Sequence, residues 1–140
     1  ALRDVDPEPL RNVNELGTFL TDKIIAIAED KNYDLMQAER AFKKTFEILA
    51  KTLGEDSFKK YDLEKERAVG PVLISVYEIV ALGIGYHCLK PGYQKTESDL
   101  RDAHKILWEN PTFTSGTGSG IRFSSRIPLT IPMGRNIYKP

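Results

Sequence analysis

Val72-Leu73-Ile74-Ser75-Val76-Tyr77-Glu78-Ile79-Val80-Ala81-Leu82-Gly83-Ile84-Gly85-Tyr86-His87-Cys88-Leu89 is apolar on nearly every side when wound as a helix. A helix that is hydrophobic all round belongs either at the centre of a packed protein or in a membrane. A membrane span needs about 20 apolar residues. Here Glu78 interrupts the run, and Gly83 and Gly85 lead into Tyr86 and His87. The stretch therefore predicts a central buried helix. Gly70-Pro71 opens it, with proline in the first turn, where its missing donor matters least. Lys90-Pro91-Gly92 closes it.

Two amphipathic helices precede this segment. Leu16, Phe19, Leu20, Ile24, Ile27 and Ala28 recur at three- and four-residue spacing, after Asn12 or Asn14 as possible caps. That helix should end between Asp30 and Tyr33. Asp34 then caps a second helix, whose stripe is Leu35, Ala38, Phe42, Phe46 (or Thr45), Leu49 and Leu53, with Gly54 as its left-handed stop. The following stretch to Glu66 is polar, and Asp56 could cap a short turn that tucks Phe58 inward. Downstream, Thr96-Glu97-Ser98-Asp99 offers caps and early negative charge for another helix. Leu100, Ala103, Ile106, Leu107 and Trp108 lie on its inner side, and Asn110-Pro111 ends it.

Residues 111–140 differ in kind. Thr112 to Ser125 is rich in Ser, Thr and Gly. Ile121, Phe123, Ser125, Ile127, Leu129 and Ile131 then alternate as in a half-buried strand. Pro128 and Pro132 bar continuous ladder pairing, which points to an edge strand or an arm laid along a surface, its own or a neighbour's. The organisation predicted is a lead-in over 1–11, a helical bundle over 12–110, and a linker with an extended arm over 111–140. The fold class is all-α, with four to five helices and an extended, basic C-terminal arm.

Charge narrows the function classes. Twenty basic residues balance twenty acidic ones, which argues against a surface that is basic throughout. The asymmetry is local: residues 1–34 are acidic, whereas 111–140 carry Arg122, Arg126, Arg135 and Lys139 with no acidic residue. These four cations are the candidates for contact with nucleic acid or a partner, with Phe123 and Tyr138 as stacking surfaces. The competing reading pairs them with the acidic head.

The remaining candidates favour structure over chemistry. Cys88 is the single cysteine, so no internal disulfide or thiolate zinc cluster forms. His87 and His104 lack partners at metal-ligand spacing, and Arg101 lies too near His104 for the Arg…His signature of HEPN ribonucleases. The Gly116–Gly120 run reads as a connector, because it neither follows a strand nor ends in Gly-Lys-Ser/Thr. Glu78 is the most unusual placement. A buried, unpaired carboxylate is costly, so a polar contact to Tyr61, Arg67 or His87 is expected, with a functional acid as the alternative. No catalytic, cofactor-binding or metal-binding residue is assigned, and no cofactor is expected. The N-terminus shows no secretion signal, so a cytoplasmic, non-membrane protein is expected.

Phe42-Lys43-Lys44-Thr45-Phe46-Glu47-Ile48-Leu49, leading into Leu53-Gly54-Glu55-Asp56-Ser57-Phe58, resembles the helical C-terminal half of the ParB-like nuclease family of GmrSD-type modification-dependent restriction subunits. In that family a Phe-x-x-x-Phe helix ends at a Phe/Leu-Gly-x-x-x-Phe turn, and a very apolar helix follows. Leu16-Gly17-Thr18-Phe19-Leu20 is similar to the family's preceding helix, and Trp108-Glu109-Asn110-Pro111-Thr112-Phe113 with Arg126-Ile127 to its closing pattern. The likeness covers roughly 12–127. It implies a C-terminal piece of a longer protein, consistent with Ala1 at the start, whose chemistry resides on an Asp-Gly-Gln-Gln-Arg motif not found here. After Arg126 the chain departs from the family's helix. The resemblance implies a non-catalytic support or interaction module for a DNA-targeting defence protein, partnered by an N-terminal ParB-like domain. The alternatives are a stand-alone helical dimerisation or protein-interaction domain, with a homo-oligomer among its partners, and a small enzyme using Glu78 and His87.

Overall fold

Helix α1 (Leu16–Glu29) is followed by α2 (Leu35–Thr52), a 3-10 turn (Gly54–Asp56), strands β1 (Lys59–Asp62) and β2 (Arg67–Val72), and helices α3 (Ile74–His87), α4 (Glu97–Glu109), α5 (Pro111–Gly116) and α6 (Phe123–Ile137). This computed structural model describes residues 6, 10, 13, 15–118 and 120–140. The two expected caps of the first helix, Asn12 and Asn14, lie outside the described residues, as does most of the expected lead-in. The chain is mainly helical, with a small antiparallel sheet where helices alone were expected.

Several local signals act as their chemistry dictates. The Asp34 carboxylate accepts from the Gln37 amide and caps α2. Thr96 and Asp99 close a reciprocal capping box on α4, each side chain accepting from the other's backbone amide. The Asn110 side chain accepts from the Thr112 amide and starts α5, with Pro111 in its first turn. Gly54 adopts the left-handed conformation, φ +54°, after α2. Phe58 turns inward as expected, edge-on to Tyr77 with ring centroids 5.1 Å apart.

The central helix begins later than its sequence suggests. Gly70, Pro71 and Val72 belong to β2, and α3 opens at Ile74. The pairing explains the shift. Lys59 faces Val72 while Lys60 faces Val69, so Gly70 and Pro71 bulge out of the ladder, with Gly70 at φ +76°. Pro71, having no amide hydrogen, is tolerated at such a bulge. From Val76 to His87, α3 is buried on almost every side, as its composition requires.

The largest correction concerns the tail. The expected extended arm is a helix, α6, spanning Phe123–Ile137 with Pro128 and Pro132 inside it. Each proline removes one intrahelical donor, and an interior proline ordinarily costs about 3 kcal/mol or more. Packing offsets that cost. Ile127, Pro128, Thr130, Ile131 and Gly134 are buried, and α6 lies along α3 in the most extensive contact between any two elements. Ile127 and Ile131, which alternate with other residues as in a strand, are equally positions i and i+4 of a helical face that Thr130 and Gly134 complete.

Two core clusters meet along α3 and α6. The larger joins Val76, Ile79, Val80 and Ile84 to Leu49 of α2, Leu100, Ala103 and Leu107 of α4, Phe113 of α5, and Tyr93 and Tyr138. The smaller joins Leu10 to Ile127 and Ile131, with Phe19, Leu82 and Phe123 at its rim. Between them the two helix backbones come very close. A Cβ on Gly83 would lie 2.6 Å from the Gly134 carbonyl oxygen, and one on Gly134 would collide with the Ile79 carbonyl.

Alanine at a helical glycine ordinarily gains about 1 kcal/mol from propensity. At these two positions the added carbon meets rigid backbone instead, and overpacking outweighs the gain. Gly83→Ala and Gly134→Ala should each lower the unfolding free energy by about 3 kcal/mol in urea titrations. Gly116→Ala, whose Cβ would touch only the mobile end of Leu129, should stay within about 1 kcal/mol. Equal behaviour of the three variants would contradict the close approach.

Candidate functional site

The four tail cations do not form one patch. The Arg126 guanidinium points inward and grips Glu78 with two parallel hydrogen bonds, from Nε to Oε2 at 2.9 Å and from Nη2 to Oε1 at 2.8 Å. Its Nη1 donates to the Ile121 carbonyl, and Thr130 Oγ1 donates to Glu78 Oε2 at 3.2 Å. The Glu78 side chain is 6% exposed and that of Arg126 16%. The carboxylate holds the Arg126 pKa above its ordinary value, against the opposing effect of burial. Glu78 thus finds a polar partner, but from α6 rather than from Tyr61, Arg67 or His87. Reading the tail as an external arm hides that partner.

Arg135 lies with its guanidinium carbon 4.4 Å from the Tyr86 ring centroid, half-buried against α3. Arg122 and Lys139 are exposed, at opposite ends of α6. A 15-residue helix separates them by about 22 Å at 1.5 Å per residue. Tyr138 is fully buried and offers no stacking face, and Phe123 is partly buried, its ring centroid 6.5 Å from that of Phe19.

The two histidines pin the C-terminal end of α6. His87 Nε2 lies 2.7 Å from the Arg135 carbonyl, and its ring stacks on Tyr93 at 5.5 Å. The Tyr93 hydroxyl donates to the Tyr138 carbonyl at 2.7 Å. His104 sets Nδ1 3.1 Å from the Leu100 carbonyl and Nε2 3.3 Å from that of Ser57. A neutral imidazole carries one N–H; with the proton on Nε2, the Tyr138 hydroxyl at 3.5 Å can donate to Nδ1. Burial pushes the His104 pKa below its ordinary value, outweighing the two carbonyls that favour the cation. Burial also raises both tyrosine pKa values. Among the described residues no group of His, Cys, Asp and Glu is arranged to hold a metal ion.

One groove of about 550 Å³ lies beside the sheet, lined by residues that include Lys60, Asp62, Glu64 and Trp108. Its charges are of mixed sign, and Lys60 stands 5.8 Å over the Trp108 ring. The more distinctive surface is apolar. Ile24 and Ile25 of α1 and Leu35, Met36 and Phe42 of α2 are all about half exposed or more, with Met36 at 70%. Helix α1 has no buried residue and makes only marginal contact with any other element. Treating both stripes as core-facing misses this surface. Ile25 and Met36 stand off their stripes, and they are the sequence signal that could have revealed it. None of the described helices is long and apolar enough to cross a membrane.

Removing one partner of a buried, bidentate pair strands the other charge, at a typical cost of about 3–5 kcal/mol. Glu78→Gln and Arg126→Ala should each destabilise the fold on that scale in chemical denaturation. Glu78→Leu combined with Arg126→Met should recover most of the loss. If Arg126→Ala costs less than about 1 kcal/mol, the range for an exposed pair, the pair is not the lock described.

His104 titrates lower folded than unfolded, so acid protonates the unfolded chain first. Stability is then lost as pH falls below about 6.5, the ordinary imidazole value. Denaturation between pH 7.5 and 5 should show a loss with a measurable slope in the wild type, and a shallower one in His104→Gln. Equal slopes would remove His104 as the cause.

Comparison with protein families, with characterised proteins and with solved structures finds no match to this chain.

Proposed function

We propose that this chain is a non-catalytic helical support and interaction module, a bundle built around α3 that presents α1 and the first half of α2 to a partner. The observation that carries this reading is the exposed apolar surface from Ile24 to Phe42. Large apolar side chains left exposed on two consecutive helices are the material from which docking sites are made. The conspicuous charged groups of the interior support the same reading, because Glu78 and Arg126 satisfy one another in holding α6 on α3.

The motif likeness over 12–127 supplies the proposed setting: the helical C-terminal part of a ParB-like, DNA-targeting defence protein in the cytoplasm. An N-terminal ParB-like domain is its partner there. Arg122 and Lys139, the exposed members of the four tail cations, are the ones available to DNA.

A surface reserved for a partner is dispensable to the chain's own folding. At about 0.5 μM, where association is weak for micromolar affinities, Ile24→Lys, Leu35→Lys and Met36→Lys should each change the unfolding free energy by less than about 0.5 kcal/mol. A loss of about 2 kcal/mol or more would make these side chains part of the chain's own core and contradict the reading.

A further inference from the structure

Among the described residues helix α1 is held at Phe19, which meets Phe123 at the rim of the smaller core cluster, and its other apolar side chains are largely in solvent. Eight of its 14 residues are apolar, yet none is buried. At 14 residues an isolated helix in water is marginal, and most helices owe their stability to packing of an apolar face. The turn Asp30–Asp34 leads directly into α2, but α1 does not fold back onto it, so α2 keeps Leu35, Met36 and Phe42 in solvent.

The charges on the two segments are opposite. Along α1 and its flanks, Glu15, Asp22, Glu29 and Asp30 outnumber Lys23 and Lys31, whereas Asp34 caps α2. Over α2, Lys43 and Lys51 pair with Glu39 and Glu47 one turn away, and Arg40 and Lys44 leave the helix with a basic excess. Consecutive helices, one acidic and one basic, both exposing apolar side chains, form a self-complementary surface. A two-fold axis lets α1 of one copy cover α2 of the other, and the same contact occurs twice. Apolar residues then meet apolar residues at the centre, and acidic flanks meet basic ones at the rim.

We propose that the occupant of this surface is a second copy of the chain, joined in a symmetric dimer by reciprocal packing of α1 on α2. The inference rests on reading the α1–α2 surface as a docking site, and names its partner. It accounts for the apolar side chains on both helices and for their opposite charge.

Sedimentation velocity on the full chain tests it, from about 1 to 200 μM, a range that brackets micromolar dissociation constants. The expected result is a monomer–dimer equilibrium that weakens as salt is raised. Phe42→Lys should weaken it roughly tenfold or more. Asp22→Lys with Glu29→Lys should weaken it also, and Arg40→Glu with Lys43→Glu added on the same chain should restore it. Circular dichroism identifies any variant that fails to fold, and Met36→Lys then replaces it. A wild-type chain that stays monomeric throughout would overturn the dimer. So would a dimer indifferent to both Phe42→Lys and Met36→Lys, or one that the charge exchange fails to restore. A monomeric chain whose polar variants keep full stability would overturn the second copy alone and leave the docking surface standing.

Discussion

The approach of α3 and α6 at Gly83 and Gly134, where neither position has room for a methyl group, governs the rest of the structure. It brings an apolar helix and a proline-containing one close enough to bury Ile79, Ile84, Ile127 and Ile131. The contact also offsets the donors lost at Pro128 and Pro132. Once α6 is seated, its ends are fixed by different chemistry. Arg126 and Thr130 hold the first half through Glu78, and carbonyls at Arg135 and Tyr138 hold the second through His87 and Tyr93. Helix α2 then packs on α3 as well, and α4 and α5 add Leu100, Ala103, Leu107 and Phe113 to the same core.

This arrangement decides what the charged groups can do. A guanidinium that donates twice to a buried carboxylate and once to a carbonyl is engaged, and a phosphate would have to displace Glu78 to reach it. The buried histidines likewise hold backbone carbonyls. Polar groups that read as candidate chemistry along the chain therefore act as fasteners between segments far apart in sequence. Exposed apolar side chains on α1 and α2 have no such internal role.

Local chemistry was legible in the sequence, and long-range pairing was not. Asp34, Gly54, Thr96 with Asp99, and Asn110 with Pro111 work within four residues of themselves and bound their elements as expected. The all-round apolarity of α3 correctly placed it at the centre. The failures share a cause. Pro71 opens a helix or sits in a bulge depending on whether Lys59 and Lys60 lie beside it, and Pro128 and Pro132 break a helix only if no neighbour offsets their missing donors. Those neighbours come from elsewhere in the chain. The partner of Glu78 was missed for the same reason, since it lies 48 residues away. The exposed apolar surface was hidden by the assumption that an amphipathic stripe faces its own core.

The fold depends on residues 123–137 forming a helix seated on α3. Native-state hydrogen exchange tests it most directly, because amide protection reports the free energy of opening each segment. The amides of Ile131, Gly134 and Ile137 should exchange as slowly as those of Val80 and Ile84, through global unfolding. Exchange of the α6 amides at the rate of an unprotected chain, while α3 stays protected, would contradict it.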